Sequence, residues 1–81
     1  MYTVYAFNKE VKPSQIKIDI LNAFDKIDNN EYIWVNTQNE VVDIINRMKS
    51  ILNKVDKQAP ITLYDKKDIA IFFLMLKEKH Q

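Results

Sequence analysis

Asp65-Lys66-Lys67-Asp68-Ile69-Ala70-Ile71-Phe72-Phe73-Leu74-Met75-Leu76 decides the fold of this chain. Eight consecutive apolar residues, Ile69–Leu76, hide the periodicity that separates a helix from a strand. The flanking charges favour a helix. Asp65 suits the N-cap, Asp68 the first turn, and Lys77 and Lys79 the last turn, as the helix macrodipole prefers. Ala, Leu and Met are also good helix formers. The alternative makes Asp65-Lys66-Lys67-Asp68 a hairpin turn and Ile69–Leu76 a strand apolar on both faces.

Upstream of this stretch, Ile61-Thr62-Leu63-Tyr64 reads as a strand, and Asp56–Pro60 as the loop before it. A helix is clearest further back. Val41, Ile44, Ile45, Met48, Ile51, Leu52 and Val55 hold one face, and polar residues fill the rest. Thr37 and Glu40 fit a capping box at its start, with Asn39 the alternative cap. Tyr32-Ile33-Trp34-Val35 is apolar on both faces and reads as a central strand. Asp28-Asn29-Asn30 is a turn cluster that does without glycine, since Asn tolerates the left-handed region. Before it, Ile16, Ile20, Ala23, Phe24 and Ile27 recur at helical spacing behind Pro13 and a Ser14 N-cap. Tyr2–Phe7, rich in β-branched and aromatic residues, reads as an opening strand.

This order predicts one small α/β (or α+β) domain over residues 1–81, β-α-β-α-β-α, with a three-stranded sheet and right-handed crossovers. The hairpin alternative gives β-α-β-α-β-β.

Composition restricts function more than it assigns it. There is no glycine, so the tight loops that cradle phosphates have no obvious way to form. There is no cysteine, and one histidine, His80, next to the C-terminus. Metal sites built from nitrogen and sulfur ligands lack their ligands. Asp25, Asp28 and Glu31 match no calcium-loop spacing and read as a solvated acidic patch. Ser14 and Ser50 sit in no nucleophile motif. The expectation is a protein that is not an enzyme and carries no cofactor or metal. No secretory leader is read at Met1–Phe7, and no apolar run reaches the length of a membrane span. A cytoplasmic protein without a membrane partner is expected.

Two surfaces are candidates for binding. The first is the apolar terminal element, with Ile69, Phe72, Phe73, Met75 and Leu76 as a partner or self-association interface, since aromatic residues and Met enrich interface cores. The second is a basic region, Arg47, Lys49, Lys54, Lys57, Lys66 and Lys67, facing nucleic acid or an acidic partner. Net charge is +1, split as −3 over residues 1–45 and +4 over 46–81. A third position, Asn36-Thr37-Gln38-Asn39 at a strand exit, suits an anion or a partner's backbone. The leading expectation is a small interaction module, an oligomer that acts as an adaptor or inhibitor by occluding a site on a larger protein, its partner a different protein, a second copy in a homodimer, or both. Its wealth of Lys, Asn and Ile suits an AT-rich gene of a phage or mobile element. The alternative is a nucleic-acid-binding accessory protein.

Overall fold

Thr62 Oγ1 accepts a hydrogen bond from the Asp65 backbone N–H at 3.1 Å, and the Asp65 carboxylate accepts one from the Thr62 N–H at 2.9 Å. This reciprocal capping box satisfies two donors that a helix start leaves orphaned. It sets the boundary of the decisive stretch three residues before Asp65.

The computed structural model describes residues 12–79. Along these run helix α1 (Pro13–Asp28), strand β1 (Tyr32–Trp34), helix α2 (Gln38–Asp56), helix α3 (Leu63–Leu74) and strand β2 (Leu76–Glu78). The class is mostly helical, with 69% of the described residues in three helices and a two-stranded antiparallel ribbon beside them. The expected α/β domain with a three-stranded sheet is therefore overturned, and so is its hairpin alternative. Ile61 and Thr62 precede α3, and Leu63-Tyr64 form its first turn, so the expected strand at Ile61–Tyr64 is absent. Ile69–Leu76 is neither one helix nor one strand. The helix ends at Leu74, and the chain turns at Met75 into β2. The expected strand at Tyr2–Phe7 lies outside the described residues.

The core forms between one face of each helix. Ile16, Ile20 and Ala23 of α1, Ile44, Met48 and Ile51 of α2, and Ile69, Phe72 and Met75 are buried. The apolar stripes of α1 and α2 thus point inward, as their spacing requires. Phe72 is the hub. Its ring centroid lies 5.4 Å from that of Phe24, 5.9 Å from Trp34 and 5.1 Å from Phe73, all tilted, an arrangement aromatic quadrupoles favour.

The ribbon pairs Tyr32 with Glu78, Ile33 with Lys77 and Trp34 with Leu76. Tyr32 and Trp34 face the helices while Ile33 is exposed, and Val35 beyond the strand is exposed too. The reading of a central strand buried on both faces is thus replaced by a strand with one covered face. Among the described residues no strands run parallel, so no crossover arises.

The helix ends show how the chain turns without glycine. Asn30 (φ 62°) and Gln58 (φ 58°) adopt the left-handed region. After α1, Asn30 N–H donates to Ile27 C=O and Glu31 N–H to Lys26 C=O; after α2, Gln58 N–H donates to Val55 C=O and Ala59 N–H to Lys54 C=O. Both are Schellman caps, usually built on glycine. At the start of α1, Lys12 is the N-cap and Pro13 the first helical residue, displacing the expected Ser14 cap. Proline's missing N–H costs nothing there, and its φ is preset for a helix. Gln58 carries a steric penalty that Asn30, with its short polar side chain, largely avoids. Gln58→Gly should therefore raise stability by about 0.5–1 kcal/mol, read as a higher urea midpoint with an unchanged slope. A lowered midpoint would contradict this account of the turn.

Candidate functional site

The outward side of α3 is apolar apart from Lys67. Leu63, Lys67, Ile71 and Leu74 follow one another at spacings of four, four and three residues, which puts them on one helix face, with Tyr64 on its flank. Leu63 is 63% exposed, Tyr64 80%, Ile71 38% and Leu74 64%. Single exposed leucines are ordinary, but several large apolar residues exposed along one helix face are not. This stripe exists because α3 is apolar on both sides: Ile69 and Phe72 fill the core while Ile71 and Leu74 are left outside.

The residues first singled out in this element lie on the other side. Ile69, Phe72 and Met75 are buried in the chain's own core, and Phe73 and Leu76 are half-buried against it. Leu63, Tyr64, Ile71 and Leu74 were missed. The signal for them was present: Thr62 and Asp65 make a capping box, and a helix started at Leu63 places these four residues together.

Ion pairs between helices tie down part of the basic region. Arg47 Nη1 donates to Asp68 Oδ1 at 2.9 Å, and Arg47 Nε lies 3.1 Å from Asp43 Oδ2. The bond to Asp68, helped by the charge of Asp43, raises the guanidinium pKa. Lys54 Nζ donates to both carboxylate oxygens of Asp65, at 3.1 and 2.8 Å. Asp65 is the one buried charged residue among those described, 8% exposed. Burial pushes its carboxyl up, but the hydrogen bonds from Lys54 and Thr62 outweigh this and hold it below its ordinary value. Lys49, Lys57, Lys66 and Lys67 have no ion-pair partner among the described residues. The six basic residues thus divide into two α2 side chains that clamp α3 and four free ones.

The N-terminus of α2 is already occupied by a carboxylate. Thr37 Oγ1 donates to Glu40 Oε1 at 2.7 Å and Asn36 Nδ2 to Glu40 Oε2 at 3.2 Å, and these bonds lower the Glu40 pKa. Glu40 sits where a bound anion was expected, so the helix start supplies its own counter-charge.

A polar cleft of about 470 Å³ opens where α1 ends beside the ribbon, lined by Lys26, Asn29, Asn30, Glu31, Tyr32, Glu78 and Lys79. Lys26 Nζ lies 5.2 Å from the Tyr32 ring centroid. The cleft lining holds no serine, cysteine or histidine. Among the described residues no three His, Cys, Asp or Glu side chains are grouped to hold a metal, and no helix is long and apolar enough to cross a membrane. His80 lies outside the described residues.

Compared with known family models, curated proteins and solved structures, the chain matches none.

Proposed function

We propose that this chain is a non-enzymatic protein-interaction module, an adaptor or inhibitor, that covers a site on a protein partner with the outward face of α3. The observation that carries the reading is the exposed stripe of Leu63, Ile71 and Leu74 with Tyr64 beside it. Buried leucine or isoleucine contributes about 1.5–3 kcal/mol relative to exposure, so covering this stripe is a substantial driving force. The stripe lies on a helix anchored on its inner side by Phe72 and clamped at its start by Lys54. A preformed surface binds without the ordering cost a flexible one incurs. A cytoplasmic setting belongs to the same proposal and is supported by the absence of cysteine.

Nucleic acid as the partner has weaker support. Arg47 and Lys54 are engaged by Asp68 and Asp65, which leaves lysines alone for phosphate contact.

Leu63→Asp/Leu74→Asp tests the proposal. Both positions are exposed, so stability should change by no more than about 1 kcal/mol in total, with the helical circular dichroism retained. Affinity capture from the native cell, read by mass spectrometry with and without nuclease, should then lose the partner protein that the wild type retains. Equal capture by both proteins, or capture that nuclease abolishes, would overturn the proposal.

A further inference from the structure

The first turns of α3 carry four charges, Asp65-Lys66-Lys67-Asp68, and packing against α2 engages only the negative ones. Lys54 takes Asp65 and Arg47 takes Asp68. Lys66 and Lys67 keep uncompensated charges. Lys67 stands on the outward face between Leu63 and Ile71, four residues from each, and Lys66 is half-buried at the margin. The same stripe that asks for apolar cover therefore asks for carboxylates within it.

A second copy answers this poorly. Two α3 faces related by a two-fold axis and packed antiparallel would bring Lys67 close to its own symmetry mate, and like charges across an interface cost free energy. A phosphate backbone would meet the lysines but leave Leu63, Ile71 and Leu74 uncovered. Building on the interaction reading above, we infer that the outward face of α3 receives an acidic amphipathic segment of a different protein, its apolar side chains on Leu63, Ile71 and Leu74 and its Asp or Glu side chains on Lys67 and Lys66. Apolar cover supplies the affinity and the charges fix register and exclude basic competitors.

The test is selection from a random-peptide library displayed on phage, with the intact protein as bait. Enriched peptides should combine apolar residues at helical spacing with flanking Asp or Glu. Their affinity, read by fluorescence anisotropy, should fall at least about tenfold on Lys66→Glu/Lys67→Glu. It should recover on that variant when the peptide carboxylates are exchanged for lysines. Leu74→Asp, or Leu74→Ser where a milder change is wanted, should abolish binding to either peptide. Peptides that need Leu74 but show no acidic bias and no response to charge reversal would overturn the acidic-partner inference while sparing the interaction reading. Enrichment indifferent to Leu74 would sink both. A dimeric mass by light scattering that Leu74→Asp converts to a monomer would show a second copy on the face and refute the inference.

Discussion

Phe72→Ala should remove about 3–5 kcal/mol of stability, most of what a domain of this size possesses. Phe72 is fully buried and touches the rings of Phe24, Trp34 and Phe73, so it joins α1, the ribbon and α3 at one point. Truncation loses the transfer free energy of the ring and leaves a cavity bounded by three elements that cannot all relax into it. The aromatic contacts add about 0.5–1.5 kcal/mol each beyond buried area. At roughly 4–8 °C per kcal/mol for a chain this short, the thermal midpoint should fall by at least about 12 °C. Far-UV circular dichroism reads the midpoint, and the near-UV signal of Trp34 reads the loss of packing. A midpoint within about 5 °C of the wild type would show that Phe72 is not the hub.

The helices with polar outer faces and the strand at Tyr32–Trp34 were legible in the sequence, and the apolar runs Ile61–Tyr64 and Ile69–Leu76 were not. Ile16, Ile20 and Ala23, and likewise Ile44, Met48 and Ile51, are buried because a 3.6-residue repeat leaves one inward face. Ile61-Thr62-Leu63-Tyr64 has as many β-branched residues as Tyr32-Ile33-Trp34-Val35 and one aromatic residue fewer, yet one is a coil entering a helix and the other holds a strand. Strand propensity reports fit to a half-buried surface, and Thr62 with Asp65 supplied a stronger local preference. In Ile69–Leu76 a helix end, a turn and a strand start share one unbroken apolar run, so no period marks the change. The candidate interface depends on the same boundary: Ile69, Phe72 and Met75 are buried in the chain's own core, and Phe73 and Leu76 half-buried against it. The ion pairs that engage Arg47 and Lys54 depend on a helix pairing that sequence spacing does not reveal.

Asp65→Ala should cost about 2–3 kcal/mol. It removes the N3 carboxylate of the α3 capping box, worth about 1 kcal/mol, together with both charge-assisted hydrogen bonds from Lys54. Lys54 is partly exposed and can turn its ammonium to water, which limits the penalty for the charge left behind. The pH dependence identifies the mechanism. The Asp65 carboxyl lies below its ordinary value of 3.8 in the folded chain, so the unfolded chain binds the proton more readily. Its contribution is complete above the unfolded value and is lost as pH falls through the folded one. The stability difference between wild type and Asp65→Asn should thus be constant near neutrality and shrink below about pH 4. Urea titrations at stepped pH check this, and a difference that persists undiminished at low pH would show that the carboxylate charge contributes nothing. Lys54→Met should reproduce part of the loss and the same acid dependence.

β1 and β2 touch in space but are separated along the chain by both α2 and α3, with Trp34 paired to Leu76. Closing so long a loop from the unfolded ensemble costs entropy that three residues of pairing cannot return. Helix docking has to come first: Lys54 meeting Asp65 and Arg47 meeting Asp68 run α2 and α3 in opposite directions and carry the chain's last segment back to its first turn. The ribbon is then a latch, set last in folding and released first in opening. The stability of its three pairs is borrowed from the helices that bring them together.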